Sequence, residues 1–235
     1  MDAEQQPRPH RWGLGAFVLA EAVYLLSSLA LAVLFGGQQA VSVSTVVLVV
    51  TLPTLLAAAV AILASKVRGN GPRTDLRLQW SRRSAGLGLL FGIGGLFVTL
   101  PAAVLWLSVV GEEANSAAGA VFGGVRGTWA WAVVVFVVIV FVAPVCEEIV
   151  YRGLLWGAVD RRWGRRVALA VTTVVFAIAH LELTRIPLLL VVALPIGLAR
   201  FFVGDLTASI LAHQVTNLLP GLVLMLTVAG AIPPA

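Results

Sequence analysis

Glu147, Glu148 and Arg152 interrupt an apolar run, Trp129–Trp156, that is otherwise long enough to cross a bilayer. Two more apolar stretches carry Phe176 with His180, and His213 with Asn217. An ionisable group inside a membrane costs a few kcal/mol at least, so it is normally kept for a function. Here two carboxylates, a guanidinium, two imidazoles and an amide all fall in the C-terminal half. Those types supply a base, a partner that orients it, and hydrogen-bond donors for an oxyanion. That is the minimum set for hydrolysis of a peptide bond.

Helical spacing separates their roles. Residues four apart share a helix face, so Glu148 stacks on Arg152, with the acid N-terminal as an ion pair prefers. Glu147 lies about 100° around the helix and cannot share that geometry. Glu148–Arg152 is therefore expected to be a structural pair, leaving Glu147 free as a base. Phe176 and His180 share a face, as do His213 and Asn217. A water held between Glu147 and His180 could be activated as nucleophile. The Asn217 amide and an N–H of His213 could hold the oxyanion.

The plainer reading is interhelical hydrogen bonding, worth about 0.6–2 kcal/mol per polar residue. It suits any one of these residues as well as catalysis does. For the whole set in one half of the chain, chemistry is the stronger reading. Tyr151 and Phe176 read as packing. Cys146, the single cysteine, excludes an intrachain disulfide and a cysteine-based zinc cluster. Its thiol is a minor candidate nucleophile, because buried apolar thiols are usually inert. Glu21 is a further acid in an apolar stretch, read as paired or interfacial rather than catalytic.

The elements that must position these groups are membrane helices. The chain is 60% hydrophobic and 11% charged, with mean hydropathy +0.99; soluble domains carry about 25% charge. Long apolar runs with no period of two imply helices, so the expected fold is an all-α polytopic bundle. About seven spans are expected: Trp12–Phe35, Val43–Ser65, Ala85–Val110, Trp129–Trp156, Val167–Leu181, Ile186–Phe202 and Leu206–Ala229. Residues 1–128 read as generic membrane helices and 129–230 as the catalytic core. Pro144 is expected to bend span four one turn before the carboxylates. Gly88 with Gly92, and Gly153 with Gly157, have the spacing that permits close helix contact.

The net charge of +5 does not point to nucleic acid, because the basic residues cluster in short loops. Arg8 and Arg11 precede span one. Lys66, Arg68, Arg73, Arg77, Arg82 and Arg83 follow span two, and Arg161, Arg162, Arg165 and Arg166 follow span four. The alternate loops are poor in Lys and Arg; the one at 111–128 has Arg126 beside Glu112 and Glu113. Positive loops stay inside, which puts the N-terminus in the cytoplasm of a multi-pass cell-membrane protein and the C-terminus outside. The short Glu182–Arg185 turn is the weak point of that topology. No cleavable signal peptide is evident, since the first apolar stretch is too long for one.

The motifs EEIVYR (Glu147–Arg152), FAIAH (Phe176–His180) and HQVTN (His213–Asn217) resemble those of the CPBP family. These are the CAAX-protease and bacteriocin-processing (Abi) intramembrane proteases. The family pattern is Glu-Glu-x-x-x-Arg, Phe-x-x-x-His and His-x-x-x-Asn on separate membrane helices, and all three are intact here. The flanks YRGLLWG and LTASILAHQVTNLL also look right. The resemblance covers the chain from span four onward. It implies an intramembrane endopeptidase with Glu147 and His180 acting on water and His213 and Asn217 as the oxyanion hole. Glu148 and Arg152 would support them. The implied substrate is a membrane-bound or lipidated protein or peptide, which in eukaryotic members is prenylated and cut just after the lipidated cysteine. Glu147, His180 and His213 also have donor types suited to zinc. Asn217 is a poor zinc ligand and a good oxyanion donor, so a glutamate-dependent reaction without metal is the preferred reading. The alternatives are a non-enzymatic membrane scaffold or a bacteriocin-immunity factor with the same fold. A proton-relaying transporter ranks last, since no inverted repeat is apparent.

Overall fold

The computed structural model describes residues 11–36, 41–111 and 116–233. The tail with Arg8 and His10 and the acidic pair Glu112–Glu113 lie outside them. The described residues form helices and turns, with no strand among them. In order they are α1 (Leu14–Phe35), α2 (Val43–Arg68), the short α3 (Pro72–Asp75), α4 (Arg82–Val110), α5 (Ala117–Gly123), α6 (Trp129–Val137), α7 (Ala143–Glu148), α8 (Trp156–Trp163), α9 (Arg165–Ala179), α10 (Ile186–Val203) and α11 (Leu206–Val228). The lengths α6, α7 and α8 form one rod, joined by π-helical turns at Val138–Val142 and Ile149–Leu155.

Helix starts follow from local chemistry. Ser42, Ser81, Ser116, Thr128 and Asp205 each accept the N–H three residues on, satisfying a donor that the first turn leaves orphaned. Among the described residues, six helices are long and apolar enough to cross a membrane: α1, α2, α4, the 129–163 rod, the segment Leu183–Val203 and α11. The expected span Val167–Leu181 is instead the 15-residue α9. At 1.5 Å per residue it measures roughly 22 Å, short of the ~30 Å hydrocarbon thickness.

Cross-helix hydrogen bonds define two ends. At one, the Arg11 N–H meets the Arg68 carbonyl, the Leu206 N–H meets Arg77, and Thr207 donates to Gln79. Arg161 reaches the Trp12 carbonyl and Arg165 the Phe201 carbonyl at this same end. At the other end, the Gly127 N–H meets the Val228 carbonyl, the Ala117 N–H meets Glu182, and Trp106 donates to the Thr184 carbonyl. The basic clusters 66–83 and 161–166 therefore gather at the first end. Although short, α9 leads from that end toward the turn at Leu183–Arg185, which sits at the second.

The buried face of α4 is made of Ser84, Gly88, Gly92, Gly95 and Thr99, all small and three or four residues apart. A Cβ on Gly88 would lie 2.6 Å from the Ala208 carbonyl oxygen, and one on Gly92 would lie 2.7 Å from the Val215 Cβ. The expected close contact at Gly88 and Gly92 is thus with α11, the helix that carries His213 and Asn217. Gly153 and Gly157 serve a different purpose. They admit Leu76 and the Trp12 ring rather than another span. The rest of α4 turns large apolar side chains outward (Phe97 is 79% exposed), as a lipid-facing surface does. Gly88→Val should destabilise the bundle by about 1–3 kcal/mol through overpacking against backbone. Thermal unfolding in detergent micelles reads this directly, and an unchanged midpoint would disprove the contact.

Candidate active site

The 129–163 rod delivers three of the polar groups, and its irregularities explain how. In the turn at Val138–Val142 the Ala143 N–H bonds the Val138 carbonyl. The Ile139 carbonyl thereby loses its usual donor four residues on. The residue five on is Pro144, which has no N–H. The orphan carbonyl is satisfied by the Asn217 amide, whose Nδ2 donates to it at 3.0 Å. The second π turn repeats the device. There the Trp156 N–H bonds the Gly153 and Tyr151 carbonyls rather than that of Arg152. The Arg152 carbonyl accepts instead from Arg200 Nε at 3.1 Å. The expected effect of Pro144 is thus realised as a π turn that recruits a side chain from α11. Such turns are frequent at functional sites.

Glu148 and Arg152 are both fully buried, with Nη1 of Arg152 donating to Oε1 of Glu148 at 2.9 Å. The same Oε1 receives His213 Nδ1 at 3.0 Å. Arg152 also points Nη2 at the Ala193 carbonyl, at 3.4 Å, and lies 4.4 Å from the centre of the Phe176 ring. One ion pair therefore ties the rod to α9, α10 and α11. Glu147, on the neighbouring face, keeps 26% of its side chain exposed and lies 3.8 Å from His213 Nε2. That separation is too long for a hydrogen bond.

The imidazoles are oriented by their Nδ1 atoms. His180 caps α9, and its Nδ1 lies 2.7 Å from the Phe176 carbonyl. A carbonyl only accepts, so Nδ1 carries the proton and Nε2 of a neutral ring is left with a free lone pair. For His213 the acceptor is the Glu148 carboxylate paired with Arg152, so Nδ1 again donates. Its Nε2 accepts when the ring is neutral and donates when it is charged. Phe176 lies between the two rings, 4.6 Å from His180 and 5.6 Å from His213 between centroids. Leu181, next to His180, has φ +56°, a conformation helix ends normally give to glycine. Backbone strain of this kind gathers at functional sites.

Glu147, Glu148, Arg152, Phe176, His180 and His213 are thus brought together. Asn217 stands one turn further along α11, with one N–H given to Ile139 and no acceptor for the other among the described residues. No hydrogen bond joins Glu147 directly to His180 among the described residues. Cys146 is buried and unbonded as a free thiol. Among the described residues no group of three or more His, Cys, Asp or Glu side chains stands close enough to hold a metal.

The model of a family described as type II CAAX prenyl endopeptidase Rce1-like matches residues 129–219. The similarity to that family is confined to this segment. The segment opens on the first residue of α6 and closes two residues past Asn217, so all three polar motifs fall inside it. The helices α1 to α5 lie outside. No curated protein and no solved structure matches the chain.

Sequence reasoning passed over one residue of the Rce1-like segment. Arg200 is 6% exposed, holds the Arg152 carbonyl and stacks 5.3 Å from the Trp156 ring. A charge inside the apolar run Ile186–Phe202 was the available signal. The Asn217 bond also carries a stability prediction. Asn217→Ala should cost about 1–2 kcal/mol by orphaning the Ile139 carbonyl. Asn217→Asp should cost more, because an acceptor then faces an acceptor. Unfolding midpoints of the two variants in one detergent check the order, and the reverse order would refute the assignment.

Proposed function

We propose that the protein is an intramembrane endopeptidase that hydrolyses a peptide bond near the C-terminus of a membrane-bound or prenylated protein or peptide. The observation that carries this reading is the Rce1-like match over 129–219, the stretch that contains the polar cluster. Glu147 and His180 Nε2 act together on one water. Its oxygen attacks the scissile carbonyl carbon while its proton passes to the pair. The oxyanion takes hydrogen bonds from the second N–H of Asn217 and from Nε2–H of His213, which must be charged to give it. The C–N bond then breaks, and the amine leaves with the transferred proton. Glu148 and Arg152 hold His213 in place by its Nδ1. The basic end of the bundle faces the cytoplasm of the cell membrane, with the N-terminus on that side.

The test is cleavage of a farnesylated peptide ending in a CAAX sequence by protein in liposomes, with products identified by mass spectrometry. Release of the residues after the lipidated cysteine, unchanged by a chelator, is the expected result. Release that stops with chelator would move the site to metal chemistry. Stable binding of the peptide with no cleavage would favour the scaffold reading.

A further inference from the structure

The apolar helix α1 carries one acid, Glu21, which lies outside the Rce1-like segment and has no part in the steps above. Phe17, Glu21 and Tyr24 are four and three residues apart, so they lie along one face. That face packs on the rod: Phe17 meets Tyr151 edge-on at 6.0 Å, and Phe17 and Tyr24 pack against the cluster that contains Tyr151. Glu21 sits between them, partly buried, on the side of α1 that packs against Tyr151.

Chemistry explains the pairing. Tyr151 is 8% exposed, and a buried phenol needs an acceptor. A carboxyl in a membrane helix needs a donor. On facing sides of α1 and the rod, each is the natural partner for the other. Tyr151 also lies four residues after Glu147, on the same side of the rod. Its ring meets Phe176 edge-on at 5.3 Å, and Phe176 carries the rings of His180 and His213. A continuous line of contacts thus runs from α1 to both imidazoles.

We propose that Glu21 is a positioning residue of this site: it anchors the Tyr151 hydroxyl and through that ring fixes the Phe176–His180–His213 stack beside Glu147. The first helix is then a working part of the site. The activity arm of the test rests on the protease reading, whereas the spectroscopic arm does not. Tyr24 and Tyr151 are the two tyrosines of the chain. Tyr24→Phe therefore leaves a single one whose C–O stretch can be followed by infrared difference spectroscopy with isotope-labelled tyrosine. In that background Tyr151 should read as a donor to a carboxyl. Glu21→Gln should weaken the signature, and Glu21→Leu should move it to that of an unbonded phenol. An unchanged band in Glu21→Leu overturns the proposal.

With a farnesylated peptide, Glu21→Leu and Tyr151→Phe should each lower kcat roughly tenfold or more at unchanged KM. Glu21→Gln should restore most of the rate, because its amide oxygen still accepts. The double variant should be no slower than either single one. Multiplying losses, or a loss confined to KM, contradict the role. If the wild type cleaves nothing, the protease reading fails and the infrared result alone decides Glu21.

Discussion

Glu147→Gln should abolish cleavage while leaving the fold intact. Loss of a positioned base lowers a rate by about a hundred- to ten-thousandfold. Gln keeps the shape and removes the basic oxygen. Little of the structure depends on that carboxylate: a quarter of it is exposed, and His213 Nε2 lies 3.8 Å away, outside hydrogen-bond range. The unfolding midpoint should therefore move by no more than about 0.5 kcal/mol. Rate and stability measured on the same preparation separate the two effects. A large stability loss would make Glu147 a structural residue.

Arg152→Met should have the opposite character. It leaves the Glu148 carboxylate, in a site with no exposure to solvent, with His213 Nδ1 but without its guanidinium. Breaking a buried pair from one side costs about 3–5 kcal/mol, because a charge is left uncompensated. The same change removes the stack on Phe176 and the reach to Ala193. Combining it with Glu148→Leu removes both charges and should recover most of that stability. Activity should stay lost, since the Nδ1 of His213 then has no acceptor to orient it. Denaturation in detergent of the single and double variants tests this. A double variant as unstable as the single would show that the pair is not the source of the loss.

These two residues show how far the sequence could be read. The Glu148–Arg152 pair follows from spacing and order, because a helix of any curvature brings residues four apart together. The division between a locked acid and a free one followed from the same geometry, and the structure places the two carboxylates accordingly. Close packing at Gly88 and Gly92 was legible for a similar reason, since small residues on one face have little other use in lipid. The partner helix α11 was not, because nothing local names it.

The π turns escaped notice for a physical reason. A π turn is a redistribution of backbone hydrogen bonds that stands only when another helix satisfies the carbonyl it releases. Pro144 shows where a donor is missing, but that Asn217 supplies one is a tertiary fact. Arg200 differs, because a charge inside the apolar run Ile186–Phe202 marks it locally. The expected span Val167–Leu181 and α9 are both 15 residues long, offset by two residues; apolar composition marks the helix, but that length falls short of a crossing. Glu21 reads from the sequence as paired or interfacial, and that its face of α1 packs on Tyr151 is again a tertiary fact.

The central claim is that Glu147 and His180 act as one unit on a single water. The most direct measurement is kcat/KM for a farnesylated CAAX peptide with the wild type, Glu147→Gln, His180→Gln and the double variant, in the same liposomes. Groups that act as a unit are strongly non-additive. The double variant should then be no slower than the worse single one, within a few fold. Losses that multiply would contradict the claim, because the two side chains would then be serving separate steps.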